Sequence, residues 1–163
     1  MPRAPAPKPA FFETAAAFRR WLVKHAATRG ELVVGFHKVG SGAPSMTWPE
    51  SVDEALCVGW IDGVRKRIDD DRYQIRFTPR KPGSQWSHVN IERVRVLTAE
   101  GRMQPAGLAA FAKRTEERSR RGSYEQKAPV ALAPADEKRF RAQKAAWAFF
   151  EAQAPSWRKR VVW

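Results

Sequence analysis

The chain has a single cysteine, Cys57, so it cannot form an intramolecular disulfide, and a disulfide-framework protein is excluded. No stretch approaches the roughly 18 consecutive apolar residues that indicate a membrane-spanning helix. The proline-rich N-terminus contains a basic residue but lacks the apolar region of a secretory signal. These absences together predict a cytoplasmic protein with no membrane partner.

The usual motifs for metals and phosphates are also missing. His25, His37 and His88 are scattered, and no His–Cys cluster has the spacing of a metal site. The segment 40–44, Gly-Ser-Gly-Ala-Pro, lacks the Lys-Ser/Thr end of a P-loop. Cys57 has apolar neighbours, which favours a buried structural thiol over a nucleophile. The sequence therefore predicts neither a metal nor a cofactor.

The sequence does contain apolar residues and positive charge. Hydrophobic residues make up 43% of the 163 residues and include 7 Trp and 9 Phe, which is enough for the core of a single domain. The formal net charge is +13, and the last third of the chain carries about half of this excess. A basic balance favours nucleic acid or another polyanion as partner. The alternative, an arginine-rich surface that is merely solvated, stays open.

Hydrophobic periodicity predicts an α+β fold, in which helices cover a small antiparallel sheet of about three strands and a helical part follows. We divide the chain into a flexible N-terminal arm (1–12), an α+β core domain (13–115), a linker or loop (116–134) and a C-terminal helical part (135–163). Three helices are expected at residues 14–26, 86–100 and 136–150, and three more are expected to begin at residues 47, 105 and 155. The helix that begins at 47 has a capping box formed by Thr47 and Glu50.

A β-hairpin is predicted from two alternating segments, 64–68 and 73–77. If Ile68 pairs with Tyr73, Lys66 faces Ile75 on the inner, apolar side of the hairpin. The other side then carries a basic surface that could bind a polyanion, formed by Arg65, Arg67 and Arg76. A slip of one residue would exchange the faces of one strand.

Between residues 59 and 93, several polar side chains occupy positions where the hydrophobic periodicity predicts apolar ones. Asn90, for example, interrupts an apolar stripe along a predicted helix. With their aromatic neighbours they form a candidate pocket, made of Trp60, Asp62, Lys66, Arg80, Ser84, Trp86, Ser87 and Asn90. One interpretation is a structural network, in which Asp62 pairs with Arg80 or Lys66 and Ser87 caps the helix. The other is a pocket for a small anionic or phosphate-bearing ligand. In it Arg80, Lys66 and the helix N-terminus hold the charge, and two tryptophans form apolar walls.

Several segments of the chain, in and beyond this region, resemble the YdeI/OmpD-associated family, whose members are often labelled bacteriocin-protection proteins. They are 55–63 (Ala-Leu-Cys-Val-Gly-Trp-Ile-Asp-Gly), 76–80 (Arg-Phe-Thr-Pro-Arg), 84–87 (Ser-Gln-Trp-Ser) with Asn90, 101–103, 105–107, 146–150 and 155–158. The residues typical of that family are Gly59, Trp60, Asp62, Thr78, Pro79, Arg80, Ser84, Trp86, Ser87 and Asn90. The resemblance implies a role in resistance to bacteriocins or antimicrobial peptides and no particular reaction. In that family a basic C-terminal helix usually follows the position of Trp163; it is missing here, so the resemblance implies either that the chain is truncated or that this member lacks the helix.

Three functions follow as hypotheses. The preferred one is a cytoplasmic stress or bacteriocin-protection protein whose polar pocket binds a small anionic ligand. The second is a nucleic-acid-binding protein that uses the basic surface and the basic last third. The third is an enzyme with Asp62 as acid or base, Arg80 as anion clamp and Asn90 as orienting residue.

Overall fold

The computed structural model describes residues 7–119 and 131–162. The chain divides into two compact units, Met1–Ser119 and Arg120–Trp163. The first six residues of the predicted arm and residues 120–130 of the predicted linker lie outside the described residues. None of the described helices is both long enough and apolar enough to cross a bilayer.

The α+β class and the helical C-terminal part are confirmed. Within the described residues, the sheet contains β1 (Ala10–Phe11), β2 (Leu32–His37), β3 (Trp60–Asp62), β4 (Lys66–Arg67) and β5 (Arg72–Pro79). The helices of the first unit are α1 (Ala15–His25), α2 (Trp48–Cys57), α3 (His88–Ala99) and α4 (Pro105–Ala112). The strand order is β1-β2-β5-β3, and β4 also pairs with β5. The sheet is therefore mixed and has five strands in the described part, so the prediction of about three antiparallel strands is wrong.

The first added strand lies in the segment that was expected to be a flexible arm. β1 pairs in parallel with β2, with Ala10 opposite Val34 and Phe11 opposite Gly35. The Phe11 ring occupies the space that a side chain at Gly35 would need. Two residues are too few to show strand alternation, so this strand had no signal in the sequence.

The second added strand, β3, follows α2 directly. Gly59 reverses the chain between them with a φ of +78°, which strongly favours glycine, and a Cβ there would lie 2.9 Å from the carbonyl oxygen of Ala106. β3 then pairs antiparallel with the end of β5, with Trp60 opposite Pro79 and Asp62 opposite Phe77.

The predicted hairpin register is wrong by one residue. Lys66 lies opposite Gln74, and Arg67, not Ile68, lies opposite Tyr73. The cause is one extra residue in the chain between β3 and β4. Lys66 is four residues after Asp62, whereas their partners on β5, Gln74 and Phe77, are only three residues apart. Lys66 therefore shares the face of Gln74 rather than the inner face, and it is exposed.

Helices α1 and α2 cover one face of the sheet. The core on that face comprises Phe18, Leu22, Val34, Phe36, Met46, Ala55, Trp60, Tyr73, Ile75 and Phe77. A second cluster lies between α2, α3 and the segment before α3, and contains Val52, Leu56, Cys57, Trp86, Ile91, Val94 and Leu97. Gly107 of α4 lies directly against the backbone of Cys57, where a Cβ would collide with the carbonyl oxygen. The opposite face of the sheet carries the candidate site.

The predicted helices are present with some changes of boundary. The capping box of Thr47 and Glu50 begins α2 as expected. Helix α3 starts two residues later than predicted, and its buried stripe runs through Ile91, Val94 and Leu97, so Asn90 lies beside the stripe and not within it. In the second unit the single helix predicted at 136–150 is two. These are α5 (Pro134–Ala142) and α6 (Lys144–Glu151), and α7 (Pro155–Val162) follows.

Candidate functional site

A broad groove lies on the face of the sheet opposite α1 and α2. Side chains that alternate outward from β2, β3 and β5 form its floor, with Val33 opposite Arg76 and Ile61 opposite Thr78. The segment after β5 closes one end through Arg80, Lys81 and Ser84. The groove is open to solvent and has a volume of about 1610 Å³. We call it the sheet-face groove.

The sheet-face groove is electropositive. Its lining includes four cationic side chains, those of Lys66, Arg76, Arg80 and Lys81, and one acidic side chain, that of Glu31. Arg76 forms an ion pair with Glu31. The other three cations form no ion pair with any described residue. An anion entering the groove would therefore meet unneutralised positive charge.

Arg80 is the most firmly held of these cations. Its backbone N–H donates to the carbonyl of Gly59 at 2.9 Å, which extends the pairing of β3 with β5 by one step. Its guanidinium carbon lies 3.6 Å from the centre of the Trp86 ring. Trp86 is only 2% exposed and packs edge-on against Phe111, so it forms a fixed platform beneath the guanidinium.

The hydrogen bonds of Arg80 are incomplete. Nη1 donates to the carbonyl of Gln85 at 3.0 Å. Nε and Nη2 are buried and have no hydrogen-bond partner among the described residues. Burial lowers the pKa of Arg80 to about 10, and the negative charge of Asp62 opposes this shift. Arg80 is thus a desolvated cation with two unused donors.

Other arginines of the chain use these two atoms to bind carboxylates. Nε and Nη2 of Arg19 donate to Glu54 at 2.6 and 2.5 Å. The same pair of atoms on Arg93 binds Asp53, and on Arg72 it binds Asp69. This two-donor fork matches a carboxylate or phosphate, and on Arg80 the same fork holds no acceptor.

Asp62 and Trp60 lie beside the groove and not in its lining. Because residues alternate along β3, both are on the core side, whereas Ile61 points to the groove side. Trp60 is 1% exposed within the core, so it forms no wall of the groove. Asp62 is partly exposed and accepts a hydrogen bond from Nε1 of Trp48 at 2.9 Å. It forms no ion pair with Arg80 or Lys66, contrary to the network interpretation.

The three remaining polar candidates have local roles. Ser87 caps α3 by accepting from the backbone N–H of Asn90 at 3.1 Å, which confirms the cap predicted for it. This bond occupies the helix N-terminus that was proposed to hold an anion. Ser84 lines the groove, and its hydroxyl donates to the carbonyl of Lys81 at 2.6 Å. Of the eight predicted pocket residues, Lys66, Arg80 and Ser84 line the sheet-face groove, and Trp86 supports one of them.

The predicted polyanion surface is largely engaged with other groups. The Arg65 guanidinium carbon lies 3.6 Å from the centre of the Tyr73 ring. Arg67 forms an ion pair with Asp70, and Arg76 is paired with Glu31 in the groove. These arginines therefore do not form one continuous free basic surface.

Sequence reasoning missed a buried charged cluster around Glu54. This carboxylate is 1% exposed and is bound by Arg19 and, at 2.8 Å, by Nη2 of Arg102. Glu54 follows the buried Ser51 by one helical turn, so both side chains point inward on the same face of α2. Burial raises the pKa of the nearby Cys57 thiol to about 11, so this thiol is poorly suited to nucleophilic chemistry. No cluster of metal-ligating side chains occurs in the part of the chain that the structure describes.

Comparison with known proteins gives one match. Neither the curated proteins nor the solved structures include a match to this chain. The resemblance to the YdeI/OmpD-associated family therefore stays a prediction. Residues 10–110 match the family described as Domain of unknown function (DUF8412), a stretch that includes the whole sheet and the lining of the groove from Gly30 to Ser84, and the chain belongs to that family.

Proposed function

We propose that this protein binds a small anionic or phosphate-bearing ligand in the sheet-face groove, with Arg80 as the residue that anchors the anion. The observation that carries the proposal is the unused donor pair of Arg80, since Nε and Nη2 are buried without a partner. A buried donor left unsatisfied costs roughly 1–3 kcal/mol, and more when the group is charged. A bound anion would remove this cost by accepting from both atoms.

The surroundings of Arg80 support this assignment. Lys81 and Lys66 add positive charge that no described acidic group neutralises, and the Trp86 ring fixes the plane of the guanidinium. Nε and Nη2 are covered by protein atoms, so an anion reaches them only if neighbouring groups shift. Two side-chain bonds hold the adjoining segment 81–85 from outside it, one from Arg80 Nη1 to the carbonyl of Gln85 and one from Arg118 Nη1 to the carbonyl of Gly83.

The two alternative functions have less support. An enzyme that uses Asp62, Arg80 and Asn90 would need the three side chains at one place, and among the described residues no hydrogen bond or ion pair joins any two of them. A nucleic-acid surface would need free arginines, whereas Arg67 and Arg76 have acidic partners. Nucleic-acid binding is kept as an outcome of the test below.

The cellular role is a further proposal, and it rests on the resemblance to bacteriocin-protection proteins. Antimicrobial peptides are typically rich in Lys and Arg, and an electropositive groove repels them. Protection would therefore act through an anionic ligand of the cell and not through capture of the peptide. We also propose a cytoplasmic location, which the free, buried thiol of Cys57 supports. Survival of bacteriocin-treated bacteria that express the wild-type chain or Arg80→Gln tests this role.

Binding itself is tested by calorimetric titration of the full chain with inorganic phosphate and pyrophosphate. The variant is Arg80→Gln, and the matched control is Arg95→Gln, which removes the same charge from an exposed site on α3 where Arg95 pairs with Glu92. We expect binding by the wild type and by the control, and at least a tenfold loss in the Arg80 variant, as for one charged hydrogen-bonded contact.

Two results would overturn the proposal. One is equal binding by all three proteins. The other is no binding of phosphate or pyrophosphate together with tight binding of a single-stranded oligonucleotide whose affinity falls steeply with salt. The second result would favour the nucleic-acid hypothesis.

A further inference from the structure

The floor of the sheet-face groove next to Arg80 is apolar with neutral polar groups set into it. Thr78 and Gln74 alternate outward along β5, and Ile61 of β3 lies directly opposite Thr78. The side chains of Thr78 and Gln74 make no hydrogen bond with any described residue. The groove thus offers hydrogen-bonding groups beside an apolar surface, in addition to its cations.

The spacing along β5 orders these features. A strand rises by about 3.3 Å per residue, so the Cα atom of Thr78 lies about 7 Å from that of Arg80, and the Cα atom of Gln74 lies about 20 Å from it. Thr78 is thus the next residue on this face after Arg80, within the length of a mononucleotide, whereas Gln74 lies farther along the groove. A phosphate at Arg80 would therefore set a base against Ile61, with its polar edge within reach of the Thr78 hydroxyl.

We infer that the anion bound in this groove is a nucleoside phosphate, with its phosphate at Arg80 and its base lying on Ile61 beside Thr78. This inference rests on the proposed function and adds the class of ligand. An alkyl or lipid phosphate fits less well for two reasons. Its chain would cover the Thr78 and Gln74 side chains without pairing them, and it would lie in an open groove, where Val64 is 79% exposed.

The experiment titrates the full chain with inorganic phosphate, with AMP, GMP, CMP and UMP, with the four free nucleosides and with octyl phosphate. We expect at least one nucleotide to bind ten times or more tightly than inorganic phosphate. The variants are Arg80→Gln and Thr78→Val; valine keeps the size and the strand preference of threonine but removes the hydroxyl. Arg95→Gln again serves as the control.

The two variants separate the two halves of the ligand. Arg80→Gln should weaken the binding of inorganic phosphate and of the nucleotide alike. Thr78→Val should weaken only the nucleotide, by about tenfold, which corresponds to one hydrogen bond of ordinary net strength. Its affinity for inorganic phosphate should stay at the wild-type value, which also shows that this variant is folded.

Failure of the inference is distinguishable from failure of the proposed function. If inorganic phosphate binds through Arg80 and no nucleotide binds more tightly, the inference is overturned and the proposed function stands. If octyl phosphate binds as tightly as the best nucleotide, the base is not recognised, and the inference is again overturned. Single-stranded oligonucleotides of increasing length are titrated in the same way. If their affinity rises steadily with length, the ligand is a nucleic acid and the inference is overturned. If none of the phosphate compounds binds, both fail.

Discussion

Replacing Arg80 by methionine should make the unliganded protein more stable, although it removes a hydrogen bond and a ring contact. Arg80 is charged at pH 7 in both the folded and the unfolded chain, so folding must bury the charge. Burial lowers its pKa well below the ordinary value of arginine, to about 10, because the surroundings disfavour the cation. Methionine has a similar length, can lie on the Trp86 ring and carries no charge to bury.

The size of the effect follows from opposing contributions. The lowering of the Arg80 pKa to about 10 corresponds to about 3 kcal/mol of unfavourable free energy, since one pKa unit is worth about 1.4 kcal/mol. The variant loses the bond to the Gln85 carbonyl, worth about 1 kcal/mol, and a cation–ring contact worth about 0.5–2 kcal/mol. A methionine–ring contact returns about 0.3–1.5 kcal/mol. We expect a net stabilisation of about 1 kcal/mol.

The assay is urea unfolding of the wild type, Arg80→Met and Arg93→Met at pH 7, followed by circular dichroism. Arg93→Met is the control of opposite sign, because it removes a guanidinium that is bound by both donors to Asp53, a side chain only 17% exposed. It should destabilise the protein by about 1–3 kcal/mol. If Arg80→Met destabilises the protein by a similar amount, the surroundings already satisfy Arg80, and the case for an anion there is refuted.

Three further predictions concern the scaffold. Glu54→Gln should destabilise the first unit by about 3–5 kcal/mol in urea unfolding, because it leaves two arginines facing an uncharged amide in a buried site; a loss below 1 kcal/mol would contradict this. Gly107→Ala should lower the free energy of unfolding by about 2 kcal/mol or more in the same assay, because the new Cβ would collide with a backbone carbonyl. Gly30→Ala is the control and should change the free energy of unfolding little, because the space around Gly30 is open. Cys57 should resist a thiol reagent at pH 8 in the folded protein. Because burial raises the folded pKa of this thiol above its ordinary value, to about 11, the stability that it contributes should decline as the pH rises from about 9 to 11. Rapid labelling at pH 8 would contradict this, because it would show that the thiol is accessible and ionised.

Local sequence signals were sufficient for the helices and for the strands that carry alternation. Thr47 and Glu50 start α2 because their spacing lets each side chain bond the other's backbone N–H, a contact that needs no distant partner. Gly59, two residues after the end of α2, adopts a positive φ that glycine takes without strain. These features depend on residues within one turn of each other, and for that reason they can be read from the sequence.

The sheet register could not be read in this way. An extra residue between Asp62 and Lys66 shifts β4 against β5, and the sequence of the two alternating segments is compatible with either register. One residue of slip was enough to move Lys66 from the expected inner face to the groove. Similarly, the buried Glu54 is stabilised by Arg19 and Arg102, which lie 35 and 48 residues away, so no local pattern marks its partners.

The net charge of +13 also has a different meaning in the folded chain. Counting charges treats all arginines alike, yet the fold gives Arg19, Arg72 and Arg93 a carboxylate for the Nε and Nη2 donors. These cations are neutralised by groups within hydrogen-bonding distance, so they contribute little to the attraction of a ligand. Arg80 differs because the fold buries the same two donors and no described residue accepts from either. Since burying a cation without a partner lowers stability, the proposed function would explain Arg80 as a position where stability is given up for binding. In a basic protein, a buried arginine fork without an acceptor is therefore a more specific guide to an anion site than the net charge.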